Sequence, residues 1–280
     1  MPNKPAVSVV VPTRDRAGYL EVTLASLLDQ DFGEAYEVIV VDDGSHDGTQ
    51  DVIHRHDVRS LIHNPPRGPN AARNEGARIA QADLIALVDD DVFAPREWLR
   101  ELVEGARRHP EADVYGGPIR ARLEGHAPRS CGREQPPVTT LDLGANDRQT
   151  ELVWSANMLL RRQALERAGG FDESLPTGGD EEEWLRRLAS SGGRVFYIAA
   201  APIDHRRTGD DARLRALMRG AYHRGYNIRG FDESRGAAPA IGRELRVLAG
   251  CGWHVVRRRC PQGLIAGAHS AGRLMRAAGR

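Results

Sequence analysis

The sequence has 280 residues, of which 40% are hydrophobic and 28% charged, and its formal net charge is zero. This composition is ordinary for a globular chain and excludes disorder over most of its length. No stretch approaches the roughly 18 apolar residues that a membrane-spanning helix needs. The first residues lead directly into a strand-like segment, so we expect no secretory signal and a cytoplasmic location.

Charge and cysteine content are unevenly distributed along the chain. From Arg206 to Arg280 there are 16 Arg against 5 Asp and Glu, a net charge of +11, whereas residues 1–205 carry 23 basic against 34 acidic groups, −11. The three cysteines lie far apart and form no CxxC pair, which disfavours both a disulfide framework and a structural zinc site. They are Cys131, Cys251 and Cys260.

The first 90 residues predict strands that alternate with helices. Apolar, β-branched runs predict buried strands, and apolar residues at helical spacing predict amphipathic helices. The strands are expected at 7–11, 37–41 and 84–88, and the helices at 18–30, 49–56 and 70–81. This β-α-β-α-β order predicts an α/β fold with a mostly parallel sheet and helices on both faces.

The second half predicts shorter elements around a long loop. Pro95 is expected to begin a helix, since proline is well tolerated in a first helical turn. Strands are expected at 112–115 and 194–198, helices at 162–168 and 180–190, ordered structure over 152–161, and a loop over 124–150. Beyond His205 the pattern is helical, with an amphipathic stripe over 213–222.

Polar clusters follow the three strands of the first half. They are Pro12, Thr13, Arg14 and Asp15; Asp42, Asp43, Gly44 and Ser45; and Asp89, Asp90 and Asp91. The carboxyl ends of parallel strands meet at one edge of a sheet, where ligands bind. Carboxylates crowded there repel each other unless a cation lies among them, and hard oxygen ligands favour Mg²⁺ or Mn²⁺. The alternative is turn chemistry, because Asp-Gly and Asp-Asp are common turn formers.

Several common nucleotide and hydrolase fingerprints are missing from the sequence. No GxGxxG follows the first strand, and neither GxxxxGK[ST] nor GxSxG occurs anywhere. These absences argue against a dinucleotide fold, a P-loop NTPase and an α/β-hydrolase. Recognition of a nucleotide would therefore depend on side chains and a metal ion.

The ordered motifs resemble family-2 glycosyltransferases with the GT-A fold. The N-terminal half of the resemblance consists of VSVVVPTRDRAGYLEVTLASLL, EVIVVDDGSHDGT, GPNAARNEG and ADLIALVDDDV. It continues with VWSANMLLRRQALERAGGFDE, GGDEEEWLRRL and a lone His205, and covers about residues 5–205. The resemblance implies an inverting transfer of a sugar from a nucleotide-diphosphate donor to a hydroxyl group. It also implies a catalytic domain over 1–205, with a nucleotide-binding half to about 120 and an acceptor half from about 121, followed by a basic helical region over 206–280.

The resemblance also assigns roles to individual residues. It places Pro12, Thr13, Arg14 and Asp15 at the nucleoside, Asp43 at the base, Arg73 in the nucleotide pocket, and Asn157 at the donor sugar. The family's DXD motif matches Asp89-Asp90-Asp91, so Asp91 would hold the metal and Asp89 would face the ribose or the sugar. His205 falls where many relatives present a further metal or phosphate ligand, although an imidazole is not a hard ligand.

The expected general base lies in the acidic run that begins at Asp180. Aligned on Trp184 and Arg187, Asp180 and Glu181 occupy the family's Glu-Asp pair, whose second member takes the proton of the acceptor. We therefore expect Glu181 as the base, with Asp180 as the alternative. Composition alone favours helix capping, since acidic residues in a first helical turn meet its positive end.

Substrates and partners follow less directly. We expect a UDP, GDP or dTDP sugar as donor, whereas the acceptor is not identified. The basic C-terminal region would either contact the inner face of a membrane peripherally or cap the acidic part of the chain. It has no aromatic-basic module for nucleic acid. A non-catalytic nucleotide-sugar-binding subunit and a nucleotidyltransferase are the alternatives, although a Gly-rich phosphate loop for the latter is missing.

Overall fold

The computed structural model describes residues 4–125, 127–129, 131, 137–175 and 178–279. Its strands are β1 (Val7–Thr13), β2 (Tyr36–Asp42), β3 (Arg59–Ile62), β4 (Leu84–Val88), β5 (Val92–Phe93), β6 (Val114–Gly116), β7 (Ile119–Leu123), β8 (Arg148–Thr150), β9 (Asn157–Arg161), β10 (Val195–Tyr197) and β11 (Ile203–Arg207). Its α-helices are α1 (Ala17–Leu28), α2 (Thr49–Arg55), α3 (Pro69–Ile79), α4 (Trp98–Arg108), α5 (Arg162–Ala168), α6 (Asp180–Ser190), α7 (Leu214–Ser234), α8 (Ile241–Arg258) and α9 (Gln262–Ala278).

The main sheet has eight strands in the order β3-β2-β1-β4-β9-β6-β10-β8. Strands β3, β2, β1 and β4 are mutually parallel, and the β1–β2 register runs from Val7 opposite Tyr36 to Thr13 opposite Asp42. Strand β9 is antiparallel to both β4 and β6. A smaller sheet has the order β5-β11-β7. The predicted parallel, helix-flanked sheet is confirmed.

Side chains alternate between the two faces of this sheet, as strand geometry requires. On β1, Val9 and Val11 join a core with Leu20 and Leu24 of α1 and with side chains of α2 and α4. Val10 points to the opposite face, into a core to which α3, α5 and α6 contribute. Burial on both faces explains why these strands are continuous apolar runs rather than alternating ones.

Helix α3 approaches the sheet closely through Gly76. A Cβ atom at this position would lie 2.3 Å from Val10 Cγ1 and 3.2 Å from Val41 Cγ2. We expect Gly76→Ala to lower the free energy of unfolding by about 1–3 kcal/mol because it overpacks this core. Gly18→Ala in α1 is the matched control, since nothing lies within 4 Å of its added Cβ. Urea unfolding of both variants checks the prediction, and equal stabilities would contradict it.

Some elements differ from those predicted. Helix α4 begins at Trp98 rather than Pro95, whose carbonyl oxygen accepts a hydrogen bond from the Trp98 N–H. The short strands β3, β5, β7 and β11 were not predicted. The predicted loop over 124–150 contains β8, and its residues 126, 130 and 132–136 lie outside the described part of the chain.

The chain divides into two compact units. We call Met1–Arg120, Thr140–Leu175 and Asp180–His205 the sheet unit, and Ala121–Thr139, Pro176–Gly179 and Arg206–Arg280 the helical unit. The helical unit is built around α7, α8 and α9, and the helical pattern predicted beyond His205 is confirmed.

Small residues let the helices of the helical unit approach each other. An added Cβ at Gly225 of α7 would lie 2.0 Å from the His269 carbonyl oxygen of α9. Arg273 of α9 donates to Glu244 at 2.6 Å and to Asp232 at 2.9 Å, so part of the positive charge is neutralised within the unit itself. Among the described residues, no helix is long and apolar enough to cross a membrane.

Candidate active site

The polar clusters after β1 and β2 interlock at the carboxyl edge of the sheet. The Asp43 N–H donates to the Thr13 carbonyl oxygen at 2.8 Å, and the Asp15 N–H donates to Ser45 Oγ at 2.9 Å. Asp15 has a positive φ of 52°, which turns the chain so that its carboxylate accepts the His46 N–H at 2.7 Å. The strand ends therefore lie together, as the topology predicts.

Asp43 fixes the loop that leads into α3. Its two oxygens accept the Arg67 N–H at 2.7 Å and the Gly68 N–H at 2.8 Å, and His63 Nδ1 lies 2.9 Å away. Burial by itself would raise the pKa of Asp43, but these hydrogen bonds outweigh burial and lower the pKa. Asp43 thus remains a carboxylate that braces residues 63–68, and its contact with a nucleotide base stays a prediction.

Asp90 lies inside the site rather than at its surface. Thr13 Oγ1 donates to Asp90 at 2.7 Å, and Arg16 Nη1 donates to it at 3.0 Å. Thr23 Oγ1 of α1 donates to the carbonyl oxygens of both Asp90 and Val92, so α1 holds the turn after β4. The pKa of Asp90 is raised to about 6: burial is the main cause, Arg16 partly opposes it, and the neighbouring Asp91 adds to the rise.

Asp89, Asp91 and His205 form the candidate metal site. One ligand atom from each lies within 4.8 Å of the others, and His205 Nε2 is 3.0 Å from an Asp91 oxygen. Strand β5 pairs His205 of β11 opposite Val92, which explains how a residue distant in sequence reaches the Asp triplet. Two carboxylates and one imidazole are compatible with a first-row divalent cation.

Arg16 supplies the positive charge at this cluster. Its Nη1 atom lies 2.5 Å from Asp91 and 3.0 Å from Asp90, and both carboxylates are buried. The exposed Arg14 instead lies 3.6 Å from the exposed Asp15. From the sequence, Arg14 was predicted to belong to the site and Arg16 was not. Two buried carboxylates nevertheless require a nearby positive charge, and Arg16 supplies it.

We expect Arg16→Gln to lower the free energy of unfolding by about 1–3 kcal/mol in the absence of divalent ions, because it leaves Asp90 and Asp91 without their guanidinium. The effect stays below that of a fully buried pair because the Arg16 side chain is 31% exposed. Arg14→Gln, at an exposed side chain, is the control and should change stability little. Urea unfolding measures both, and equal losses would contradict the assignment.

Arg73 connects the Asp triplet to the start of α6. Its guanidinium is 3.3 Å from Asp89 and 3.1 Å from Asp180, and it also donates to Asn70 at 2.9 Å. Burial alone would lower the pKa of Arg73, but Asp89, Glu181 and Asp180 outweigh it and raise the pKa. Arg73 therefore stays charged among three carboxylates drawn from two distant parts of the sequence.

Glu181 is held by Ser155 and has a shifted pKa. Ser155 Oγ donates to Glu181 Oε1 at 2.7 Å. The pKa of Glu181 is raised to about 7: burial is the main cause, the neighbouring Asp180 adds to the rise, and Arg73 opposes it. A carboxylate that titrates near neutral pH is suited to proton abstraction. Ser155 was not identified from the sequence, because a serine before β9 has no distinctive local pattern.

Asn157 has a different environment from the one expected. Its side chain is fully buried, and both amide hydrogens are used, donated to the carbonyl oxygens of Pro118 at 3.1 Å and Ala201 at 2.9 Å. Its Oδ1 accepts the Trp98 indole N–H at 2.9 Å. All the polar atoms of the Asn157 side chain thus have hydrogen-bond partners within the fold. Its contact with a donor sugar stays a prediction.

The fold is an α/β fold with a mostly parallel sheet. Its acidic side chains lie at the carboxyl edge of the strands, where open sheets of this type bind ligands. Residues 8–169 match the model of glycosyl transferase family 2. The chain belongs to this family.

Two curated relatives are similar over most of this chain. The pre-mycofactocin glycosyltransferase of Mycobacterium tuberculosis is 34% identical over 217 residues, 73% of this chain and 44% of the relative. The validoxylamine A glucosyltransferase of Streptomyces hygroscopicus subsp. jinggangensis is 30% identical over 251 residues, 76% of this chain and 59% of the relative. The chain thus spans about half the length of the curated relatives it matches.

Solved structures confirm the GT-A type of fold. The mannosyltransferase PcManGT from Pyrobaculum calidifontis, in complex with GDP-Man and Mn²⁺, has a TM-score of 0.63 at 18% identity, covering 99% of this chain and 74% of its own. Residues 1–349 of TarS from S. aureus, in complex with UDP-GlcNAc, have a TM-score of 0.60 at 17% identity, covering 98% and 92%. At these identities the likeness shows the fold alone.

Proposed function

We propose that this chain transfers a sugar from a nucleoside-diphosphate donor to a hydroxyl group of an acceptor, with inversion at the anomeric carbon. The observation that carries the proposal is the continuous arrangement from the Asp89–Asp91–His205 cluster through Arg73 to Glu181. The sheet unit contains all of these residues. Family membership supports the reaction class, and the donors in the complexes of the structural neighbours support a UDP or GDP sugar among the three expected donors.

The donor would lie at the carboxyl edge of β1, β2 and β4. Asp89, Asp91 and His205 would hold Mn²⁺ or Mg²⁺, which when bound neutralises the charge that develops on a departing diphosphate. Two carboxylates and an imidazole favour Mn²⁺ over Mg²⁺, because an imidazole is a poorer ligand for Mg²⁺. The interlocked segments around Asp15 and Asp43 would then contact the nucleoside.

The proton of the acceptor would pass to Glu181. Ser155 orients one oxygen of its carboxylate, and the pKa of about 7 leaves a substantial ionised fraction at neutral pH. Asp180 is less suited to this role because its carboxylate pairs with the buried Arg73 at 3.1 Å. Within the acidic run, Glu181 would therefore act as the base, and Asp180 would form the ion pair that positions Arg73.

A ligand screen followed by a turnover assay tests the proposal. UDP, GDP and dTDP sugars, and in separate samples the nucleoside triphosphates, are added with and without Mn²⁺. The melting temperature is recorded, since a ligand that binds the folded state stabilises it by mass action. Donor turnover is then measured for each stabilising ligand. Stabilisation with Mn²⁺-dependent turnover is expected. Stabilisation without turnover would favour a non-catalytic binder, and stabilisation by a nucleoside triphosphate alone would favour a nucleotidyltransferase.

We also propose that the exposed face of α8 contacts an anionic membrane surface. Trp253 is 68% exposed and Val256 75% exposed, and both lie beside the basic residues Arg257 and Arg258. An amphipathic basic helix of this kind binds lipid interfaces. Co-sedimentation with phosphatidylserine vesicles should decrease in Trp253→Ala, whereas an unchanged bound fraction would favour a purely structural role for this region.

A further inference from the structure

Two cysteines and a histidine of the helical unit lie together at the α8–α9 turn. One ligand atom from each of Cys131, His254 and Cys260 lies within 4.8 Å of the others. Cys131 Sγ is 3.3 Å from His254 Nε2. No local sequence pattern indicates this grouping, because 123 residues separate Cys131 from His254 and no CxxC pair occurs.

The turn between α8 and α9 fixes two of the three side chains. Arg259 ends α8 with a left-handed φ of 49°, and α9 begins at Gln262, so the chain reverses around the buried Cys260. Gly263 allows the first turn of α9 to pack against α8: an added Cβ there would lie 3.2 Å from His254 Cδ2 and 2.8 Å from the Cys251 carbonyl oxygen. The first turn of α9, which begins just after Cys260, therefore packs closely against the His254 ring.

The two thiols and the imidazole of this cluster are suited to binding a metal ion that prefers sulfur and nitrogen ligands. Thiolates and imidazole are preferred ligands of Zn²⁺, with bonds of about 2.3 Å to sulfur and about 2.0 Å to nitrogen. Tetrahedral angles at such bond lengths place the sulfur and nitrogen ligands roughly 3.5 Å apart. The observed 3.3 Å between Cys131 and His254 is close to that separation, so little movement is needed to admit an ion.

We propose that Cys131 Sγ, His254 Nε2 and Cys260 Sγ bind one Zn²⁺ ion, with water or an external ligand in the fourth position. Binding releases the two thiol protons to solvent, so that two thiolates and a neutral imidazole surround the ion. Three protein ligands with one open position describe an exchangeable site rather than a closed structural one. The ion would tie Cys131 to the α8–α9 turn.

This site differs in chemistry from the Asp89–Asp91–His205 cluster, which contains no sulfur. Co²⁺ is therefore a selective probe, because only coordination by thiolate produces a sulfur-to-cobalt charge-transfer band in the near ultraviolet. The full chain is freed of metal with a chelator under reducing conditions and then titrated with Co²⁺. We expect a charge-transfer band that saturates at one equivalent, is bleached by Zn²⁺ and persists in excess Mn²⁺.

Single substitutions identify the ligands. Cys131→Ser and Cys260→Ser should each reduce the band to about half and weaken Co²⁺ binding at least about tenfold. Cys251→Ser is the matched control: it lies on α8, three residues before His254, outside the cluster, and should leave the band unchanged. Circular dichroism establishes that each variant is folded.

A second measurement needs no variant. Zn²⁺ should slow alkylation of Cys131 in the unmodified chain, while the modification of Cys251 stays unchanged, as read by peptide mass mapping. The absence of a charge-transfer band, or its loss in Cys251→Ser, would overturn the proposal. A metal-free chain that is lighter by two hydrogen atoms and contains a Cys131–Cys260 disulfide would overturn it as well.

Discussion

Replacing Glu181 by Gln is expected to lower the rate of sugar transfer by about 10²–10⁴-fold, the usual contribution of a general base. The amide has the same size and can still accept the hydrogen bond from Ser155 Oγ, so the fold and the donor site should persist. Only the ability to take a proton is removed. The measurements are kcat for transfer and the shift in melting temperature on adding donor with Mn²⁺.

The neighbouring carboxylates provide controls. Glu182→Gln changes the next residue of the same helical turn and should leave transfer close to that of the unmodified chain. Asp180→Asn should lower stability, because it removes the charge of the buried carboxylate that pairs with Arg73. Transfer that survives in Glu181→Gln but is lost in a folded Asp180→Asn variant would assign the base to Asp180 instead.

The pH profile gives an independent test of Glu181. Its pKa is raised from 4.5 to about 7, so the fraction able to accept a proton grows as the pH rises through neutrality. We expect kcat/KM, whose pH dependence reports ionisation of the free enzyme, to increase about tenfold from pH 6 to pH 8. An ordinary carboxylate would be fully ionised over that range and would give a flat profile. Glu181→Gln should remove the pH dependence together with the activity.

The fold of the sheet unit is largely predictable because its central strands are buried on both faces. A strand that is buried on both faces needs apolar side chains on both of them. Strands β1, β2 and β4 are therefore continuous apolar runs, which are visible in the sequence. The two-residue strand β5 has no such signature, since it exists only because it pairs with β11 more than 100 residues later. A pairing of this kind depends on the folded topology and leaves no local pattern.

The sequence predicts which segments form the site, but not which side chains pair with each other inside it. Topology places the polar strand ends together, and the family resemblance selected the acidic start of α6. Which arginine neutralises the Asp triplet depends on the backbone turn at Asp15, which exposes Arg14 and directs Arg16 inward. Likewise, the burial of Asn157 depends on carbonyl groups contributed by distant segments. Neither outcome can be read from residue types.

Charge balance connects these observations. Around the guanidiniums of Arg16 and Arg73 lie five carboxylates, those of Asp89, Asp90, Asp91, Asp180 and Glu181. Negative charge is therefore in excess in a partly dehydrated region, and burial raises the pKa of both Asp90 and Glu181. A divalent cation bound by Asp91 would offset part of this excess, which gives the metal an electrostatic reason to bind independent of family membership.

Asp91→Asn is accordingly expected to abolish the stimulation of donor turnover by Mn²⁺ and to lower the rate by at least about 10²-fold. The amide is isosteric: its one carbonyl oxygen can still accept a hydrogen bond from Arg16, and its NH2 group can donate to His205 Nε2 in the tautomer that leaves this nitrogen unprotonated. It lacks the charge that holds the cation. Mn²⁺ binding is measured by calorimetry, and initial rates are measured against Mn²⁺ concentration.

The control for Asp91→Asn is Asp83→Asn, just before the opposite end of β4, where the exposed carboxylate pairs with Lys4 at 2.8 Å. Because exposed ion pairs contribute little, this variant should bind Mn²⁺ and turn over donor normally. If Asp91→Asn instead keeps both its Mn²⁺ affinity and its rate, the cation lies elsewhere. Arg16 would then be sufficient to neutralise the Asp triplet, and the Asp89–Asp91–His205 cluster would not be the ligand set for the proposed metal-assisted departure of the diphosphate.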